Sequence, residues 1–379
     1  MITGILIFIA TLLIMVTFHE FGHYITARKF GIKVEEFFVG FGPRLFSRWR
    51  GETEFGVKAI LLGSYVKIAG MNPFQEIPPE ELPRTFGAKP AWQRAIVLVA
   101  GSFTHFILAI VVFSGLIYIT GLPELTTQVE EVATEVGGKP GPAQAAGLQP
   151  GDRLVSIEGT RITSWEQVRP LVQPNSGRQL TFVVERNGRN VTLEITPVEG
   201  EAVTDPNNPD ETEIVGQIGV LPVVETEKGG PVWAVGEGLK TTGTAIWRSV
   251  VGTGMIFTSV DDIFGALGGT GEREITEDQP VGLVGTARLA GQATSAGAIA
   301  SLVSFLGYFI VFVGVINLAP LPPLDGGHLL VLALEKISRR SIDPKKVLPF
   351  AGVVLGFLAM LTFALLFLDL ARPIVNPFQ

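Results

Sequence analysis

Four apolar runs, each longer than about 18 residues, constrain this chain more than any other feature, because a run of that length matches a hydrocarbon layer roughly 30 Å thick. They begin at Ile2, at Ala95, at Ile299 and near Val347. Within lipid the backbone has to satisfy its own N–H and C=O groups, so each run is expected to form a helix. With 47% hydrophobic and 17% charged residues among 379, the chain is too apolar for a purely soluble protein. The reading is a polytopic α-helical membrane protein with four transmembrane helices, over 1–27, 94–120, 299–334 and 347–371.

Charge orients the spans. No basic residue precedes Arg28, so the first run lacks the charged start of a cleaved signal and is expected to be retained. Arg28, Lys29, Lys33, Arg44, Arg48, Arg50 and more basic residues as far as Arg94 separate the first two runs, and Lys336, Arg339, Arg340, Lys345 and Lys346 separate the last two. The positive-inside rule places both loops in the cytoplasm and both termini outside, together with the acid-rich middle stretch. A net charge of −7 disfavours nucleic acid as a partner. The chain has no cysteine, which excludes disulfides, thiolate catalysis and thiolate metal sites. Any metal must be held by histidine and carboxylate.

The polar segments have their own patterns. The loop 28–93 contains "EFGVKAILLGSYVKIAGM" (54–71), which predicts two short strands around Leu62-Gly63-Ser64, a β-hairpin apolar on both faces that is either a functional element or a small cytoplasmic one. "VGFGPRLFS", before it, has the Gly and Pro spacing of a tight turn. Over 125–222 short β-branched runs alternate with turn signals around one amphipathic stretch, an inserted α+β domain. There "GPAQAAGLQPGDRLVSIEGTRITSWEQVRPLV" resembles a PDZ domain, with "TFVVERNGRNVTLEITP" as a hairpin and "GQIGVLP" as a closing strand. A domain of that kind takes an extended peptide ligand at a sheet edge, or serves only as a spacer. The stretch 231–298 predicts amphipathic juxtamembrane helices on the outer membrane face.

The chemistry lies inside the spans. In "FHEFGHYITA" His19 and His23 are four residues apart, so a helix sets both on one face with Glu20 beside them. This HExxH spacing lets two imidazoles hold Zn²⁺ while the glutamate polarises a water. Ionisable groups at membrane depth cost about 2.5–3.5 kcal/mol each, so three within five positions need a compensating partner. A catalytic zinc has three protein ligands as a rule. The third is sought in "NLAPLPPLDGGHLL", where Pro320, Pro322 and Pro323 interrupt a segment too long to cross lipid as one helix. Irregular backbone at that depth belongs where it lines a cavity. Asp325, just after the break and before Gly326-Gly327, is the expected third ligand.

"HEFGH" in the first span, "NLAPLPPLDGG" in the third and a PDZ-like segment between the second and third follow one order. In that order the chain resembles the bacterial site-2 proteases, intramembrane zinc metalloproteases that include the regulator of sigma-E protease. The resemblance implies His19, His23 and Asp325 as zinc ligands, Glu20 as general base, and Asn317 with Pro320 and Pro322 along the substrate path. It also implies that the hairpin 54–71 is a membrane-associated β-element that presents an edge to the substrate, and that the chain resides in the bacterial plasma membrane. The implied substrates are single-span membrane proteins of the anti-sigma factor type, or remnant signal peptides, cut second in regulated intramembrane proteolysis. One position departs from the pattern: where the family carries Gly-Pro and then Asn, "AGSFTHF" has Ser102 and His105. His105 then contacts substrate, supports a ligand, or only packs; His328, near Asp325, supports a ligand or only caps. Two other classes stay open: a non-proteolytic PDZ adaptor with structural or no zinc, and a metal transporter, which would spread its ligands over several spans.

Overall fold

The structure, a computed structural model, describes residues 2–72, 74–205, 208–258, 282–295, 297–340 and 342–371. It divides into two compact units, one built from 1–119 and the chain beyond 230, the other from 120–229.

Helix α1 (Ile2–Lys29) is apolar along almost its whole length. Thr11 and Thr17 return their hydroxyls to the carbonyl one turn back, of Ile7 and Leu13, so neither donor is left unpaired towards lipid. Leu6, Ile14, Phe18, Phe21 and Ile25 are exposed, as a lipid-facing stripe requires. The helix ends at Gly31, whose φ of +68° permits the Ile32 N–H to reach the Ala27 carbonyl at 2.9 Å. Arg28 and Lys29 in the last turn complement the helix dipole.

Two long strands follow, β1 (Val34–Arg50) and β2 (Thr53–Ile68), paired antiparallel through a turn at Gly51-Glu52. This corrects the expected hairpin: Leu62-Gly63-Ser64 is extended and lies within β2, and "VGFGPRLFS" lies within β1, bent at Gly40 and Gly42. The reason is tertiary. A Cβ on Gly63 would come 2.8 Å from the Phe41 ring, so this glycine accommodates a close approach by β1 and not a reversal of the chain. Phe37, Phe38 and Val39 each have two partners, Val66 and Phe55, Tyr65 and Gly56, Ser64 and Val57. The start of β1 therefore lies between the two halves of β2, with 60–68 as one edge. The sheet packs on α1 through Tyr24, Phe37 and Phe55, whose ring centroids are 5.3–5.8 Å apart.

Helix α2 (Ala91–Thr120) runs closely along α1, because Gly22 has no Cβ to strike the Ala100 carbonyl.

In the second unit β3 (Leu122–Val132), β4 (Glu135–Val136), β5 (Lys139–Pro140) and α3 (Pro142–Ala145) lead into β6 (Arg153–Ile157) and β7 (Thr160–Arg161). After α4 (Val168–Val172) come β8 (Leu180–Arg186), β9 (Arg189–Ile195), β10 (Val198–Asp205), β11 (Asn208–Gln217) and β12 (Val220–Glu227). The main sheet has the order β12-β3-β6-β8-β9, with β7 attached to β6. Leu180, Phe182 and Val184 alternate inward along β8, onto Leu154, Ile157, Val168, Val172 and Ile195. Asn187 and Gly188, both at positive φ, make the tight β8–β9 turn. Asp152, buried at the head of β6, takes two bonds from Arg186, at 2.7 and 2.6 Å.

The chain re-enters the first unit as α5 (Pro231–Thr258), α6 (Leu283–Ser295), α7 (Ile299–Asn317), α8 (Asp325–Ser338) and α9 (Pro344–Ala371). Among the described residues four helices, α1, α2, α7 and α9, are long and apolar enough to cross a membrane. The third segment is broken as the prolines require, over 318–324. Part of the 231–298 stretch, 259–281 and 296, lies outside the described residues. Of the helices expected there, α6 is not a surface element: Ala290 and Ala293 are buried against Phe8, Leu302 and Leu306, and Gly4 abuts the Ala290 carbonyl. Its alanine and glycine content, which weakened any apolar stripe, is what permits that close packing.

Candidate metal centre

Helical spacing sets His19 and His23 one turn apart on α1, where both are buried. Their Nε2 atoms are 3.1 Å apart. The proline break delivers Asp325, the first residue of α8, against them, with Oδ2 at 3.2 Å from His19 Nε2 and 3.4 Å from His23 Nε2. The break is held by Gly326 and Gly327, since a Cβ on either would collide with the backbone of Leu318, Ala319, Leu321 or Pro322.

These distances test whether an ion fits. Two imidazole lone pairs and a carboxylate oxygen repel one another at such separations unless a cation lies between them. A tetrahedral ion with bonds of about 2.0–2.1 Å has ligand–ligand edges of about 3.3–3.4 Å. The observed 3.1, 3.2 and 3.4 Å match that edge closely. His23 Nδ1–H donates to the Val97 carbonyl at 2.7 Å, which leaves its Nε2 lone pair turned towards Asp325. Gly101 supplies the room: a Cβ there would be 2.5 Å from His23 Nε2 and 2.7 Å from His19 Cε1. The residue set therefore suits a divalent ion that accepts nitrogen and oxygen ligands.

Glu20 follows His19 on the same helix and interacts electrostatically with His19, His23 and Asp325, and with the backbone of Val66 in β2. The β-element thus reaches the centre. His105 is buried on α2, its ring in edge contact with His19 at 5.1 Å between centroids. Asn317 is half-buried at the end of α7. Pro320 lines an apolar cavity of about 570 Å³ together with Phe106, Val250, Val315, Leu318 and Leu321. Pro322 is buried against Gly327 instead. His328 is exposed by surface area, interacts electrostatically with Asp325 and His23, and makes no side-chain hydrogen bond to the centre among the described residues. Sequence reasoning missed Gly101, Val97 and Val66. A glycine inside an otherwise uniform apolar run was the available signal for Gly101; a backbone carbonyl or amide leaves none.

Comparison with known proteins agrees with this geometry. The model of peptidase family M50 matches residues 7–364. The zinc metalloprotease Rip1 of Mycolicibacterium smegmatis is 33% identical, the alignment covering 98% of each chain. Rip1 of Mycobacterium tuberculosis is 32% identical over 100% of this chain and 98% of its own. A putative zinc metalloprotease of Rhizobium meliloti is 35% identical over 89% of this chain and 88% of its own. With four apolar helices long enough to span lipid, this is a multi-pass membrane protein. A family match of that extent, on a chain whose two span-borne histidines meet an aspartate from a proline-broken segment, places it: the chain belongs to peptidase family M50, the site-2 proteases, and is a membrane metallopeptidase.

Proposed function

We propose that this chain is a zinc-dependent intramembrane endopeptidase, which hydrolyses a peptide bond within or near the transmembrane helix of a single-span membrane protein. One observation carries the reading: ligand atoms of His19, His23 and Asp325, from two helices far apart in sequence, lie within 4.8 Å of one another. These three residues would hold the metal. Zinc bound there would supply Lewis acidity to the attacking water and to the scissile carbonyl.

The chain's own residues do the rest. Glu20 takes a proton from the attacking water and delivers it to the leaving amine, so the C–N bond breaks without releasing an amide anion. The Val66 backbone, in the β-element, interacts with Glu20, so an extended substrate lying on the 60–68 edge is brought beside the catalytic carboxylate. Asn317, at the end of α7, faces the path as a donor to the substrate backbone, and Pro320 and Pro322 keep that segment from closing into a helix. The apolar cavity beside Pro320 takes side chains of the locally unwound substrate.

We assign 125–222 as a PDZ domain, with β12 and β9 as the end strands of its sheet, on the extracytoplasmic side together with both termini. It admits substrates already shortened by an earlier cut, as in regulated intramembrane proteolysis, with anti-sigma factors or remnant signal peptides as the substrate classes. Glu20→Gln tests the chemistry. In membranes or detergent, cleavage of a single-span reporter is expected to fall by about 10²–10⁴-fold while bound zinc stays stoichiometric. The inactive variant then serves as a crosslinking trap for substrate. Unchanged cleavage by the variant would overturn the assignment of Glu20, and unchanged capture of partners by a chain that never cleaves would favour an adaptor.

A further inference from the structure

Two buried atoms beside the metal centre form no hydrogen bond, and their chemistry is complementary. His105 Nδ1 lies 3.2 Å from the Ile310 carbonyl. A carbonyl only accepts, so Nδ1 carries the hydrogen and His105 Nε2 is left with a lone pair. That Nε2 is buried without a partner. His19 turns Nε2 towards Asp325 and His23, so as a ligand it carries its hydrogen on Nδ1. His19 Nδ1 is likewise buried without a partner. One ring holds an unmet acceptor and the other an unmet donor, and the two rings are in edge contact at 82°.

A buried donor and a buried acceptor left unmet are both costly, and one bond or one bridging water relieves both. His23 shows the alternative solution, because its Nδ1–H is taken by the Val97 carbonyl. No carbonyl plays that part for His19 among the described residues.

We infer that His105 is a positioning residue for His19: its Nε2 accepts the His19 Nδ1–H, directly or through one water, and thereby fixes the tautomer and orientation of the first metal-ligating imidazole. This rests on the zinc reading above and adds to it a residue whose type departs from the asparagine that the family resemblance predicts at this place. Held on one side by Ile310 of α7, one turn before Gly314, where a Cβ would come 2.8 Å from the His105 Cβ, the ring also ties α7 to the centre.

The test is zinc affinity, measured by chelator competition on the full chain in detergent, with no turnover required. His105→Leu, which removes the acceptor, is expected to weaken zinc by about 10–100-fold. His105→Gln, whose Oε1 can take the place of Nε2, is expected to stay within a few-fold of wild type. Equal affinity for wild type and the Leu variant would overturn the inference, and so would a Gln variant as weak as Leu. Should either variant fail to fold, long-range ¹H–¹⁵N spectra of ring-labelled wild type decide: His105 protonated on Nδ1 supports the assignment, and protonation on Nε2 overturns it. Wild type that binds no zinc would sink the underlying reading instead, and the tautomer, measured without metal, still decides the role of His105.

Discussion

Gly101 shows how much of a metal centre can depend on an atom that is missing. Any side chain at this point of α2 would enter the space of both imidazoles, so Gly101→Ala is expected to displace them while leaving α2 helical, alanine being the better helix former. The expected outcome is a loss of zinc affinity of at least about tenfold, with thermal unfolding near that of wild type. Chelator titration beside a melting curve checks this, and tight zinc binding in the variant would show that the imidazoles tolerate a methyl group. Removing the metal itself should abolish cleavage, and adding zinc back should restore it, since three ligands at 3.1–3.4 Å repel one another without a cation. Recovery of cleavage in the chelated protein on adding zinc, and not on adding magnesium, is the measurement.

Elements are joined by a few polar bonds whose loss can be measured separately from catalysis. In the β-rich unit the head of β6 is tied to the end of β8 by Asp152 and Arg186. Burial alone pushes the Asp152 carboxyl up, but the bonds from Arg186 and from the Gln149 N–H outweigh it and hold the group below its usual range. The sign follows. A carboxyl whose folded value is depressed stabilises the fold fully above its ordinary value of about 3.9, and that contribution disappears as pH falls through the folded value. Asp152→Asn should therefore cost about 1–3 kcal/mol near neutral pH, at the modest end because Arg186 is partly exposed. Wild type and variant should converge in strong acid. Unfolding midpoints between pH 7 and pH 2 test it, and a gap that persists at the acid end would refute the argument. In the other unit the elements meet through small residues, Gly4 on α6 and Gly22 on α2, where backbones approach at the distance of carbonyl contact. Without water to drive apolar surfaces together, such close packing is what holds helices in lipid.

At the scale of the molecule, the β-rich unit enters and leaves by adjacent strands: Leu122 of β3 pairs with Glu227 of β12. Excision of 122–227 can therefore be bridged by a short linker without stretching α2 or α5. The expected phenotype is a chain that still binds zinc and still cleaves short single-span substrates, but that also accepts substrates with bulky outer domains. Comparative cleavage of intact and pre-shortened reporters checks it. Selectivity unchanged by the excision would remove the gating role from the proposal.

Local pattern was enough wherever the determining physics was local. Apolar length announced four helices long enough to span lipid, the spacing of His19, Glu20 and His23 placed two imidazoles on one helical face, and three prolines announced the break before Asp325. The fold of the loop was not legible in this way. Leu62-Gly63-Ser64 carries turn residues, yet it stays extended because Phe41 occupies the space that the missing Cβ of Gly63 leaves free. Nor could sequence tell that Ala290 and Ala293 face inward, since small residues carry little periodic signal and acquire a face only when a neighbour is present. The meeting of Asp325 with His19 and His23, the room that Gly101 gives them and the edge contact of His105 all join residues scores to hundreds of positions apart. Residue identity alone dictates which groups must be compensated at membrane depth, because burial cost is a property of each group. Which groups compensate one another emerges on folding, because that depends on distances that no local pattern encodes.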